Sequence, residues 1–231
     1  MIEADLAVVG AAELLTLAGP SPRRGAALAD PGLVPDGAVA AKDGRIVFAG
    51  PTGEYRRTVR TTPGARVIDA HGAVVLPGFV DPHTHLPFAG WRDREFERRL
   101  GGATYESLAA EGGGIQSTVA ATRAAALDEL VGLGRARLDR MLLHGTTTVE
   151  AKSGYGLTLA DEIKQLEALA RLAAEHPVTV VPTFLGAHIV PAERRADRAD
   201  YVREVSGPML REVVRRDLAR GCDVFVDGGA F

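Results

Sequence analysis

The residues most able to do chemistry stand in one short stretch, "LPGFVDPHTHLPFAG", residues 76–90. An apolar run ends there in Asp81, His83 and His85. Side chains alternate along a strand, so these three share one face. Two neutral imidazoles converging from that face suit zinc or iron, at metal–nitrogen distances of about 2.0–2.1 Å. A pair of rim histidines in ordinary hydrogen bonds is the competing reading. The apolar strand running directly into the pair, with "PGFVD" before it, favours the metal. Arg92 follows in the next loop and could grip a carboxylate through a bidentate fork. Arg94, Arg98 and Arg99 crowd the same stretch, and spacing alone does not choose among them. "KSGYG" offers the Lys152 cation and the Tyr155 ring and phenol, although a surface lysine and a core tyrosine fit equally well. His188 closes "LGAH", and Asp227 stands in "CDVFVDGGAF". His71, His144 and His176 fall in a turn or at helix ends and read as structural. The glycine run in "EGGGIQSTVAATR" leads into a helix start, which can hold an anion. It can also be a loop capped by Ser117 or Thr118, and its spacing is not that of a P-loop.

Such groups need elements that bring them to one place. Residues 1–76 read as short strands and turns. "GAVAAKDGRIVFAG" signals a hairpin, with Asp43-Gly44 suited to a type I′ turn. "ARVIDAHGAVVLPG" repeats the pattern around His71-Gly72, and the proline- and glycine-rich "AGPSPRRGAALADPGLVPDG" ahead of the hairpin is loop. This region is expected to be part of a small β-sandwich domain. From residue 77 strands alternate with helices. "ALDELVGLGRARLDRMLLHG" has Leu127, Leu130, Leu133, Leu138, Met141 and Leu142 at helical spacing. "LADEIKQLEALARLAAEH" places Ile163, Leu166, Leu169 and Leu172 on one face. "ADYVREVSGPMLREVVRRDLARG" is helical, with a break expected at Gly207-Pro208. Strand–helix alternation implies parallel βα units. The predicted class is α/β: a partial (β/α)8 barrel of TIM type over residues 77–231, preceded by the sandwich portion. Active sites of such barrels lie at the C-terminal strand ends, where the polar candidates fall.

Composition excludes several classes. A net charge of −3 gives no strong attraction to nucleic acid or an anionic membrane. A single cysteine, Cys222, rules out an internal disulfide and fits a reducing, cytoplasmic setting. The N-terminal "MIEADLAVVG" lacks the basic region of a signal peptide. No apolar run approaches the roughly 20 residues that span a bilayer.

"PGFVDPHTHLPFAG" resembles the first barrel strand of the amidohydrolase superfamily. "WRDREFERRLGGATYESLAAEGGGIQSTVAATR", "GTTTVEAKSGYGL" and "PVTVVPTFLGAHIVP" resemble the imidazolonepropionases, over most of residues 37–231. That resemblance implies hydrolysis of 4-imidazolone-5-propanoate to N-formimidoyl-L-glutamate in histidine degradation, with one zinc or iron ion. It makes His83 and His85 metal ligands, and Arg92, Tyr155 and His188 substrate contacts. It also makes the glycine-rich loop a wall of the site. Members often carry glutamate where Asp227 stands, which leaves its role open. The general base and further ligands are expected beyond residue 231, so the chain is expected to be an N-terminal fragment. Alone it should be inactive and poorly folded, exposing Val205, Leu210 and Val213. The full-length protein could form a homodimer. Other readings are an amidohydrolase acting on another cyclic amide or amidine, and a non-catalytic half-barrel that binds ligand.

Overall fold

The computed structural model describes residues 1–104, 107, 113–227 and 231. The chain divides into two compact units, Met1–Pro77 and Gly78–Phe231. In the first, β1 (Ile2–Leu15), β2 (Leu33–Lys42), β3 (Arg45–Pro51), β4 (Val59–Asp69) and β5 (Val74–Val75) form one mixed sheet. The order is β3-β2-β1-β4, with β5 also on β1. The expected sandwich portion is thus a single five-stranded sheet among the described residues. The β2–β3 hairpin closes where Asp-Gly predicts it. Lys42 pairs with Arg45, and Asp43 and Gly44 have φ of 50° and 73°, as a type I′ turn requires. The turn at His71-Gly72 is also left-handed, at 48° and 78°, but it makes no hairpin. β4 and β5 both run parallel to β1, one after the other. The turn steps the chain along one neighbour instead of reversing it. Tyr55, on the short helix α1 (Thr52–Thr58), packs against Ala4, Ala7, Ala40 and Val59.

In the second unit β6 (Phe79–Thr84), β7 (Thr146–Lys152), β8 (Thr179–Ala187) and β9 (Gly221–Val224) are all parallel, in that order. They make a curled half-barrel sheet. The helices include α2 (Asp93–Leu100), α3 (Ile115–Ala124), α4 (Leu127–Leu143) and α5 (Leu159–Glu175). Leu130 and Leu138 of α4 and Leu166, Leu169 and Leu172 of α5 are fully buried, each worth about 1.5–3 kcal/mol of burial. Leu142, at the end of α4, is exposed. Gly134 lets α4 and α5 approach closely, since a Cβ there would stand 2.5 Å from Leu172 Cδ1.

Between β8 and β9, α6 (Arg198–Glu204), a π turn (Val205–Met209) and α7 (Leu210–Arg215) run on without interruption. The expected break at Gly207-Pro208 does not occur. Proline has no N–H and crowds the preceding turn; the wider π turn absorbs that misfit. Val205 and Val213 are buried, contrary to expectation, and Leu210 is partly covered. This helix already has α5 and β8 to pack on. Bare apolar groups lie on the outer strands, with Phe79 and Val80 on β6, Val224 on β9, and Phe225 and Val226 beyond it, and the helices also leave Leu143 and Val214 exposed.

Candidate active site at the strand ends

The ends of β6, β7 and β8 bring three of the predicted side chains into contact. The His85 ring lies 4.9 Å from Tyr155 and 4.9 Å from His188, stacked on the latter at 14°. Tyr155 and His188 are 5.2 Å apart. His83 stands 5.8 Å from His85, more exposed than its neighbour. Asp81 shares their strand, but its carboxylate accepts the His83 backbone N–H at 3.2 Å. Burial, then the His188 and His83 rings, hold the His85 pKa down at about 3, while the Ser153 backbone pulls the other way. His85 is therefore a neutral imidazole, the form that ligates metals. Its Nδ1 is buried without a hydrogen-bond partner. That orphaned nitrogen fits a metal donor, with His83 as the second. Among the described residues no three His, Cys, Asp or Glu side chains converge as a metal cluster. If both served as ligands, the pair would supply two of the roughly four that zinc usually takes.

Tyr155 is presented by a loop whose backbone is fastened from beneath. The carboxylate of Glu162, fully buried on α5, accepts the N–H groups of Gly154, Gly156 and Leu157 at 3.1, 2.9 and 2.7 Å. Burial raises the Glu162 pKa, and hydrogen bonds from Ser153 and these amides oppose the rise. Gly154 has φ of 107°, and a Cβ there would meet His188 Nδ1 at 2.9 Å. Its carbonyl instead lies 2.8 Å from that nitrogen, which orients the His188 ring. Burial lowers the His188 pKa.

Arg92 precedes α2 and lines a cavity of about 470 Å³ with Phe88, Trp91, Phe96, Thr118 and Tyr155. Arg94, Arg98 and Arg99 do not line it. Burial raises the Tyr155 pKa, and the charge of Arg92 partly offsets this. The cavity wall is braced by Arg137 of α4, whose guanidinium lies 3.7 Å over Phe88 and donates to the carbonyls of Leu86 and Phe88. At the start of α3, Gly114 N–H donates to Glu95 and the Ser117 hydroxyl donates to Gly114 O, so no side chain caps the helix. Glu111 and Gly112 of the glycine-rich loop lie outside the described residues.

Sequence reasoning missed an ion cluster around a buried lysine beside this rim. Lys152 is not a surface charge; it is 4% exposed. Its Nζ lies 2.6 Å from Glu150 Oε1 and 3.0 Å from Asp223 Oδ2, and Thr183 also donates to Glu150. Burial works against the ammonium, but these hydrogen bonds and charges outweigh it, so the Lys152 pKa is raised. Glu150 and Lys152 alternate on one strand face, which was the available signal. The carboxylate that β9 contributes is Asp223; Asp227 lies past the strand and is exposed. His144 and His176 follow the ends of α4 and α5, and His176 Nδ1 accepts the Val178 N–H.

The sequence profile of the Amidohydrolase family matches residues 66–130. An imidazolonepropionase of Symbiobacterium thermophilum is 60% identical over 228 residues, covering 98% of this chain and 53% of that protein. The imidazolonepropionase of Geobacillus kaustophilus is 50% identical over 224 residues, covering 96% and 53%. The solved structure of E. coli guanine deaminase superposes with a TM-score of 0.53 at 17% identity, over 91% of this chain and 43% of that one, a likeness of fold. Among the described residues no helix is long and apolar enough to cross a membrane. The chain resembles imidazolonepropionases along nearly all of its own length, carries the Amidohydrolase match within it, and spans about half of their length.

Proposed function

We propose that the whole protein hydrolyses 4-imidazolone-5-propanoate to N-formimidoyl-L-glutamate in histidine degradation. The observation that carries this is the meeting of His85, Tyr155 and His188 beside a cavity lined by Arg92. It offers aromatic faces for a flat ring and a guanidinium for a carboxylate. His83 and His85 would hold one zinc or iron ion, which when bound supplies a Lewis acid and an activated water. The chain's other residues bind and orient. Arg92 anchors the propanoate through paired N–H···O bonds. Tyr155 and His188 flank the ring and keep bulk water from its faces. In the reaction a water oxygen adds to the ring carbonyl carbon, the ring C–N bond breaks, and the freed nitrogen takes up a proton. We take the substrate to be a small molecule and not a nucleic acid, and the setting to be cytoplasmic. A homodimer of the whole protein is compatible with this site.

Hydrolysis by the whole protein tests the reaction. Binding of imidazolepropanoate to the 231-residue chain isolates the share carried here. Arg92→Ala should weaken that binding about tenfold to a hundredfold, since a hydrogen bond to a charged group is worth roughly 1.5–3 kcal/mol. Binding of imidazole itself should change little. Equal losses on both ligands would make Arg92 structural. Joint replacement of His83 and His85 by alanine should abolish bound zinc or iron, and undiminished metal would refute their role as ligands.

A further inference from the structure

The cavity is built from two loops distant in sequence, one after β6 that carries Phe88 and Arg92, and one after β7 that carries Tyr155. One side chain touches both. Gln165, fully buried on α5, donates from Nε2 to the Pro87 carbonyl at 2.8 Å and accepts the Tyr155 N–H at Oε1 at 3.0 Å. Glu162 lies one turn earlier, and residues three apart on a helix are neighbours on one face. It holds the amides on either side of Tyr155. The first loop has a second anchor close by, because the Ala89 N–H donates to Thr122 Oγ1 at 3.1 Å. Each loop is thus tied to a helix, and only Gln165 ties the two loops to each other at the backbone among the described contacts.

We infer that Gln165 is a positioning residue that sets the spacing between the Arg92 loop and Tyr155, and with it the length of ligand that fits between an anchored carboxylate and a stacked ring. This rests on the reading of the cavity as a carboxylate-and-ring site. The chemistry of the amide is what the arrangement demands. Pro87 offers only an acceptor and Tyr155 only a backbone donor, so the residue between them must donate at one end and accept at the other. A glutamate can serve Tyr155 but, when ionised, not Pro87. A methionine of similar length serves neither.

The test uses the chain with Gln165→Met and Gln165→Glu. Backbone hydrogen exchange is read over residues 86–90 and 153–157, and affinity is read for two probes, imidazolepropanoate and imidazole. Gln165→Met should speed exchange in both segments by about tenfold or more, because both lose a buried partner. Gln165→Glu should speed it in 86–90 while sparing the Tyr155 amide. Both should weaken imidazolepropanoate about tenfold, the scale of loss that a small misplacement produces, and imidazole much less. Unchanged exchange in Gln165→Met would overturn the tie. Faster exchange with unchanged affinity, or equal losses for both probes, would overturn the positioning role. A wild-type chain that binds no imidazolepropanoate would sink the carboxylate-and-ring reading itself, and the tie between the loops is then decided by exchange alone.

Discussion

The inner and outer strands of the second unit hold their share of the site under different conditions. β7 and β8 run between neighbours, and the groups at their ends are embedded. Ser153 is fully buried, Lys152 nearly so, and the loop bearing Tyr155 is fastened by Glu162. β6 and β9 are the outer strands, with Phe79, Val80 and Val224 exposed and His83 facing solvent. The side that carries Tyr155 and His188 is therefore organised by buried polar contacts, whereas the side that carries His83 starts from an edge. How deeply the groups at each strand end are embedded follows from what covers the strand and not from what chemistry its side chains offer.

The sharpest way to break this contrast is Glu162→Ala. It leaves three buried N–H groups without their acceptor, so unfolding free energy should fall by about 3–5 kcal/mol. Urea denaturation measures it, and a loss below about 1 kcal/mol would mean that the loop is not held from beneath. Lys152→Met comes next. It would leave Glu150 and Asp223 facing each other without their cation, at a cost of about 2–3 kcal/mol, less than for a fully buried pair because both acids are partly exposed. Gly156→Ala should cost about 2 kcal/mol, because the new methyl would stand 2.4 Å from the backbone of Asp161 and Glu162, which cannot yield. On the outer strand, Val224→Thr should change stability by no more than about 0.5 kcal/mol. A larger drop in Tm would show that β9 is better covered than its exposure suggests.

The smallest effect concerns a surface helix. Hydrogen bonds from Arg215, then Arg216, hold the Glu212 carboxyl down at about 2, below its ordinary 4.5. A depressed carboxylate stabilises the fold above its unfolded value and loses that contribution as pH falls toward about 2. Glu212→Gln should therefore narrow the stability difference between pH 6 and pH 3 slightly, and the change should fade in high salt.

Much of the frame was legible because it rests on periodicity. Alternation along "GFVDPHTH" put His83 and His85 on one face, and the strand–helix rhythm gave the parallel sheet. Asp43-Gly44 closed its hairpin because few other pairs accept two positive φ angles. Glu162 and Gln165 were passed over because charged and amide residues on an amphipathic helix are ordinarily solvent-facing. Yet they extend the spacing of Leu169 and Leu172 by one turn, so they are polar residues at core positions. What periodicity cannot say is that loop amides converge there to receive them. Asp223 was missed for a related reason: the strand's end was read too late, and attention fell on Asp227. Proline at 208 misled because its cost was assumed to be a break, where a local widening sufficed.

The Lys152 cluster also bears on geometry. Val149 and Ala151 pack into the core beneath the helices, so Glu150 and Lys152 point to the opposite, concave side. Neighbouring parallel strands lie about 4.8 Å apart, and β8 stands between β7 and β9. Lys152 nonetheless meets Asp223 at 3.0 Å. Such a contact works like a tie-rod beneath an arch: it joins the two sides across the span. One ammonium on the inside of the bend thus links β7 to β9 past the strand between them, a link that a shorter or neutral side chain at that position would not make.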